Sequence, residues 1–92
     1  MLKPEFTKQF KKDYKIALSR GLEAQKLEQV IYMLCNNQPL PAAYHDHALI
    51  NSRNYKDMRE CHIQPDWLLV YKIVQERLVL KLIRTGSHSD LF

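Results

Sequence analysis

Apolar and polar positions change their spacing near residue 7. Before it, Leu2, Pro4 and Phe6 alternate with polar residues, which is typical of a short strand, and the proline favours a sheet edge. After it, apolar side chains recur every three or four residues while lysines occupy the opposite side, so a helix is predicted. Thr7 is the expected N-cap of this helix and Gly21 its end.

A second helix is predicted from about Leu22 to Asn36. It ends there because the proline at position 39 cannot continue a helix. Residues 37–57 follow no regular period and are predicted to form a long loop. Long loops in small domains are often functional.

Three strands are predicted in the rest of the chain, over Met58–Ile63, Trp67–Ile73 and Leu78–Arg84. The middle one is apolar on both faces, so we expect it at the centre of a sheet. The element order β-α-α-β-β-β predicts an α+β fold, with an antiparallel sheet and a two-helix hairpin on one face.

The length and composition favour one small globular domain over residues 1–92, since 46% of the 92 residues are hydrophobic. The longest apolar run, Trp67–Tyr71, is far shorter than the ~18 residues of a membrane helix, and no apolar secretion signal begins the chain. Cys35 and Cys61 form no Cys-x-x-Cys pair. These features predict a cytoplasmic protein with reduced thiols.

The net charge of +4 lies entirely within residues 1–20, which hold six basic and two acidic side chains. Four of the basic groups form what we call the lysine face of the first helix: Lys8, Lys11, Lys12 and Lys15. A basic face attracts polyanions, and we expect it to dock RNA or a ribosome, although a solvated helix face has the same composition.

All four histidines lie in the C-terminal half of the chain, and none falls in a predicted helix. His47 belongs to the long loop, His62 lies near a strand end, Asp66 follows in a turn, and His88 comes after the last strand. Such positions can meet at one end of a small sheet. Imidazoles and a carboxylate suit proton transfer near neutral pH, and on a basic protein this chemistry points to RNA cleavage. No metal is required, because RNA carries its own nucleophile in the 2′-hydroxyl.

The remaining histidine, the cysteines and the last aromatic residue have other expected roles. His45 is expected to be a solvated loop residue, and Cys61 a small buried side chain. A zinc site made from His45, His47, Cys61 and His62 is not predicted, because the spacing matches no standard motif. Phe92 has no strand to pack into and is expected to stack on a base.

Three segments resemble the YafQ-like branch of the RelE/ParE toxin superfamily: Asp46–Leu49, Arg59–Tyr71 and Arg84–Phe92. The resemblance implies a βααβββ microbial-RNase fold and the toxin of a type II toxin–antitoxin pair that cleaves mRNA, typically on the ribosome. Carried over by position, it assigns the active site to His47, His62, Asp66, His88 and Phe92, and phosphate contacts to Arg59 and Arg84. It also implies an antitoxin that covers this site and, together with the toxin, binds operator DNA. No cofactor and no membrane are expected.

One departure from the family lies between His47 and His62, where relatives commonly have glycines. The corresponding stretch here, Leu49–Met58, contains none, and its asparagines adopt the left-handed conformation less freely than glycine does.

Two other functions remain open. A toxin of the ParE kind binds DNA gyrase without cutting nucleic acid, but that branch generally lacks the histidines. A plain nucleic-acid-binding module would use the lysine face alone. The sequence does not decide which catalytic group is the acid and which is the base.

Overall fold

The computed structural model describes residues 1–50 and 53–92. Asn51 and Ser52, which belong to the predicted long loop and to its glycine-free stretch, lie outside the described residues. The strands and helices follow one another as β1 (Lys3–Phe6), α1 (Lys8–Ser19), α2 (Ala24–Cys35), β2 (His47–Ala48), β3 (Arg59–Gln64), β4 (Trp67–Val74), β5 (Val79–Gly86) and α3 (His88–Leu91).

The sheet has the strand order β1-β5-β4-β3-β2. Strands β2 to β5 pair antiparallel, and β4 is central, as predicted. The expectation of a wholly antiparallel sheet is wrong at one edge, because β1 runs parallel to β5, with Lys3 opposite Val79. A parallel neighbour requires a long connection, and the chain between β1 and β5, which includes both long helices, provides it. The predicted α+β class is confirmed.

Helices α1 and α2 cover one face of the sheet. Phe10 and Leu27 from the helices pack there with Cys61 and Trp67 from the sheet, and each of the four is at most 2% exposed. The predicted core positions of Phe10, Cys61 and Trp67 are therefore confirmed.

The ends of the long helices follow the predicted caps. The Thr7 hydroxyl accepts a hydrogen bond from the Phe10 amide at 3.1 Å, as an N-cap does. Gly21 has a φ of +85° just after α1, a conformation that glycine adopts without strain. Helix α2 begins two residues later than predicted and ends one residue earlier. Within the described residues, no helix has both the length and the apolar character that crossing a bilayer demands.

Two short elements were missed by the sequence analysis. His47, predicted in a loop, lies in β2 at the edge of the sheet, and His88, predicted in a tail, begins α3. The expectation that no histidine lies in a helix is therefore wrong. A strand of two residues and a helix of four are too short to show a period. Helix α3 is instead fixed by a capping box, in which Ser87 and Asp90 each accept a hydrogen bond from the other's amide, at 3.2 and 2.9 Å.

Candidate active site

The polar groups meet where three antiparallel strands end or begin. The register places Gln64 opposite Trp67, and Leu68 opposite Gly86. The end of β3, the start of β4 and the end of β5 therefore lie side by side. Asp66 is in the turn between the first two, and His88 follows the third. The convergence expected from the sequence is confirmed for this pair.

Asp66 holds His88 through two hydrogen bonds to one oxygen. Its Oδ1 accepts from the His88 backbone amide at 3.0 Å and contacts the imidazole Nδ1 at 2.7 Å. These bonds, the amide bond first, hold the pKa of Asp66 below its ordinary value. A carboxylate only accepts, so Nδ1 carries the proton, and Nε2 is left as the nitrogen that can exchange one with a substrate.

Glu60 contacts two of the predicted catalytic histidines. Its Oε1 lies 3.3 Å from His62 Nε2 and 3.6 Å from His47 Nε2, and the residue is only 5% exposed. The pairing of β2 with β3 creates this group, because it places His47 directly opposite Glu60. A buried carboxylate needs such partners, and the shorter contact, to His62, is the one that orients a ring.

Glu60 is the functional candidate that the sequence analysis missed. Successive side chains of a strand point to opposite faces, so Glu60 and His62 share a face, while Cys61 points to the helices. The sequence Arg59-Glu60-Cys61-His62 indicates this arrangement. In a strand, a charged residue two positions from a histidine lies on the same face as that histidine.

Two β-bulges adjust the strands beside the site. His62 pairs with Leu68 of β4, and Gln64 pairs with the adjacent Trp67. Ile63 is therefore the extra residue in β3. In β5 the pairing moves from Leu82 to Arg84, so Ile83 is extra. Bulges redirect side chains and are common next to active sites.

His45 and His47 form the edge of the site. His47 Nδ1 lies 2.5 Å from the carbonyl oxygen of His45, which can only accept, so this nitrogen also carries the proton. His45 is exposed, as expected for a loop residue. Its ring nevertheless meets that of His62 edge-on, with centroids 5.4 Å apart, and His88 meets His62 in the same way at 5.5 Å.

The predicted phosphate-binding arginines are already paired. Arg59 donates a hydrogen bond to Asp46 at 3.1 Å. Its side chain lies on the face of β3 opposite that of Glu60. Arg84 makes two hydrogen bonds to the buried carboxylate of Asp13, at 2.8 and 3.0 Å. The register aligns Arg84 with Val70, and Val70 with Glu60, which separates Arg84 from Glu60 by about 10 Å at the usual strand spacing. Neither arginine belongs to the histidine cluster, and their phosphate role stays a prediction.

The ring of Phe92 turns away from the histidines, although the Phe92 amide donates to the His88 carbonyl at 2.9 Å. Phe92 is 58% exposed, and its ring meets Tyr55 edge-on with centroids 5.3 Å apart. Among the described residues, no ring contact joins Phe92 to a histidine. The lysine face of α1 is exposed, as predicted.

Three groups of the site could hold a metal ion. Glu60, His62 and His88 each offer a ligand atom, and these atoms lie within 4.8 Å of one another. Imidazole and carboxylate are suitable ligands for zinc and copper. The set differs from the zinc site rejected in the sequence analysis, because Cys61 is buried on the other face and burial raises the pKa of its thiol to about 12.

The arrangement can carry out proton transfer at two positions. The His88 imidazole is oriented by the exposed carboxylate of Asp66. The His62 imidazole, a few ångströms away, is oriented by the buried carboxylate of Glu60. A substrate placed between them could lose a proton to one and gain a proton from the other.

Comparison with known proteins gives consistent matches along the whole chain. A family model described as "Bacterial toxin of type II toxin-antitoxin system, YafQ" matches residues 2–92. The mRNA interferase toxin YafQ of Escherichia coli (strain B / BL21-DE3) is 43% identical over 89 residues, which cover 96% of this chain and 92% of that protein.

Two solved structures illustrate the similarity in fold. A metal-bound toxin from Helicobacter pylori superposes with a TM-score of 0.93 at 46% identity, over 100% of both chains. A chain of an E. coli DinJ-YafQ complex superposes with a TM-score of 0.87 at 41% identity, over 100% of this chain and 99% of that one. The predicted family and fold are confirmed.

Proposed function

Because the chain belongs to the YafQ family of toxins from bacterial type II toxin–antitoxin systems, we propose that it is an endoribonuclease that cleaves mRNA and thereby inhibits translation. The observation that supports this is the meeting of the oriented His88 with His62 and Glu60 at one end of the sheet. A toxin that only binds its target has no need of paired acid–base groups.

The reaction uses the nucleophile that RNA carries. A base, His62 or His47, removes the proton from a ribose 2′-hydroxyl, whose oxygen attacks the adjacent phosphorus. The bond from phosphorus to the 5′-oxygen breaks, and an imidazolium protonates that oxygen as it leaves. We assign this second role to His88, because the negative charge of Asp66 stabilises its protonated form. The products are a 2′,3′-cyclic phosphate and a 5′-hydroxyl.

Glu60 has a supporting role in this scheme. As a buried carboxylate beside two imidazoles, it orients His62 and stabilises positive charge on whichever ring has accepted the proton. Each correctly placed proton transfer contributes about 10²–10⁴-fold to the rate. A phosphate contact by Arg59 or Arg84 is proposed from the family resemblance, and either side chain would have to leave its carboxylate partner to make it.

Metal ions are expected to inhibit this reaction. A zinc or copper ion bound by Glu60, His62 and His88 would occupy the lone pairs that must take and give protons. Addition of either ion should therefore stop cleavage, and a chelator should restore it. Stimulation by the ion would instead support metal-assisted hydrolysis.

The proposed partners follow from the family and from the charge distribution. A cognate antitoxin is expected to bind this toxin, as DinJ accompanies YafQ in E. coli complexes, and to bind operator DNA as part of that complex. The lysine face is proposed to dock on the ribosome, where the mRNA substrate is held. With these partners, the activity is proposed to be cytoplasmic.

The direct test is cleavage of a defined mRNA, both on ribosomes that retain their own magnesium and as free RNA in the presence of a chelator. His88→Ala should lose about 10²–10⁴-fold in rate. Ser89→Ala, an exposed position in the same short helix, is the matched control and should behave as wild type. Undiminished cleavage by His88→Ala would remove His88 from the mechanism. Growth inhibition without RNA cleavage would favour the gyrase-binding alternative.

A further inference from the structure

A cavity of about 400 Å³ opens beside His62. It lies between a short 3₁₀ turn, Ala42–Tyr44, and the end of β3. Ala43, Tyr44 and His45 line one side, and His62, Gln64 and Pro65 line the other. Its size is that of ordinary ligand pockets, which are mainly apolar with a few polar groups.

His45 is the histidine that the proposed reaction does not use, yet its conformation is unusual. Its backbone lies in the left-handed region, with φ of 47°, where a residue other than glycine is strained and where strain often accompanies function. In this conformation the His45 carbonyl orients His47, while the His45 ring forms a wall of the cavity and meets the His62 ring edge-on.

The composition of the cavity suits a nucleobase. RNA-binding proteins read single-stranded RNA by stacking splayed bases on rings of Tyr, Phe, Trp or His and by hydrogen bonding to the base edges. Tyr44 and His45 supply rings, and the Gln64 side chain carries both a donor and an acceptor. Because His62 belongs both to the cavity and to the proposed catalytic cluster, a base held there would be next to the reacting phosphate.

We propose that this cavity is a subsite for the mRNA base beside the scissile phosphate and that it sets which sequences are cut. The proposal rests on the proposed function, because it identifies the cavity's ligand as part of the RNA substrate. Filling the cavity should then change the choice of cleavage site, while removal of a catalytic group should slow cleavage at every site.

The test compares two neighbouring alanines of the same turn. Both Ala42 and Ala43 are exposed, but only Ala43 lines the cavity. Ala43→Leu should raise the KM at the preferred sites by about 5- to 100-fold, as expected for loss of one base-stacking contact, and should redistribute cuts along a defined mRNA. The kcat at the remaining sites should stay within about twofold, because the groups that transfer protons are untouched. Ala42→Leu should retain the wild-type map.

A second measurement separates this proposal from the proposed function. NMR spectra of wild type and both variants are recorded with millimolar mononucleotides in the absence of ribosomes. Selective shifts at Ala43, His45 and Gln64 in wild type and in Ala42→Leu, but not in Ala43→Leu, would support a base site even if RNA cleavage were not observed. An unchanged cleavage map in Ala43→Leu, or shifts that do not involve these residues, would overturn the subsite while leaving the ribonuclease assignment intact.

Discussion

Replacing Asp66 by Asn tests how the tail histidine is activated. In the native protein a single oxygen, Oδ1, holds both the backbone amide and the ring Nδ1 of His88, at 3.0 and 2.7 Å. Asparagine keeps an oxygen that can accept these bonds, but it has no charge to stabilise the imidazolium. If its NH₂ group faces the ring instead, the proton must move to Nε2.

The size of the effect is bounded by the role of His88. One proton transfer is worth about 10²–10⁴-fold, so Asp66→Asn cannot cost more than His88→Ala. Asp66 is exposed to solvent, and water screens its charge. We therefore expect a loss of about 10- to 100-fold in kcat for RNA cleavage, with the unfolding temperature unchanged.

The pH dependence follows from the lowered pKa of Asp66. A carboxylate whose pKa is lowered on folding remains ionised above its ordinary pKa of ~3.9, and its contact is lost only as the pH falls through the lower value. A loss of wild-type activity at a pH well above the ordinary pKa of an aspartate therefore does not report protonation of Asp66.

A double mutant tests whether Asp66 acts through His88. If Asp66 acts through His88, the variant carrying both Asp66→Asn and His88→Ala should be no slower than His88→Ala alone. Asp57→Asn is the matched control, because Asp57 is an exposed carboxylate of the loop before β3 and its φ of 61° suits asparagine. A wild-type rate for Asp66→Asn, or additive losses in the double mutant, would show that Asp66 does not act through His88.

Four further outcomes are expected. Asp13→Ala removes a buried carboxylate that accepts hydrogen bonds from side chains and a backbone amide, and should cost about 2 kcal/mol, measured as a fall in Tm of roughly 8–16 °C; an unchanged Tm would contradict the pairing. Cys61, with a pKa raised to about 12 by burial, should resist alkylation at pH 8 until the protein is unfolded, and rapid labelling of native protein would contradict its burial. Tyr55→Phe removes a hydroxyl that donates to the Leu91 carbonyl at 3.0 Å and so holds the segment before Phe92. It should raise the KM for RNA about 3- to 10-fold but have no further effect when Phe92 is already Ala. Lys11→Glu should weaken ribosome binding at low salt and have little effect at high salt; a loss independent of salt would indicate misfolding.

The main elements of the fold were predictable because each is long enough to show its own period. The helical spacing before Gly21 and the apolar run from Trp67 both correspond to elements of the structure within a few residues. The parallel pairing of β1 was not predictable from local pattern, because it depends on which strand remains unpaired after the hairpins of β3, β4 and β5 have formed.

The candidate site was predicted in its residue types but not in its connections. His62, Asp66 and His88 were identified as polar groups at strand ends, and the structure brings them together. Glu60 was not predicted, although the period of two in β3 places it on the same face as His62. The pairing of Arg84 with Asp13 joins residues 71 positions apart, and no spacing in the sequence indicates such a contact.

In the proposed reaction the neighbouring 2′-hydroxyl of the RNA is the nucleophile. The most direct measurement is the chemistry of the new RNA ends, after cleavage of a defined mRNA on ribosomes that retain their own magnesium, and of free RNA with a chelator. We expect 2′,3′-cyclic phosphates and 5′-hydroxyls, formed by wild type and strongly reduced in His88→Ala. Ends that carry a 5′-phosphate and a free 3′-hydroxyl would contradict it, because they require water, and not the ribose, to be the nucleophile.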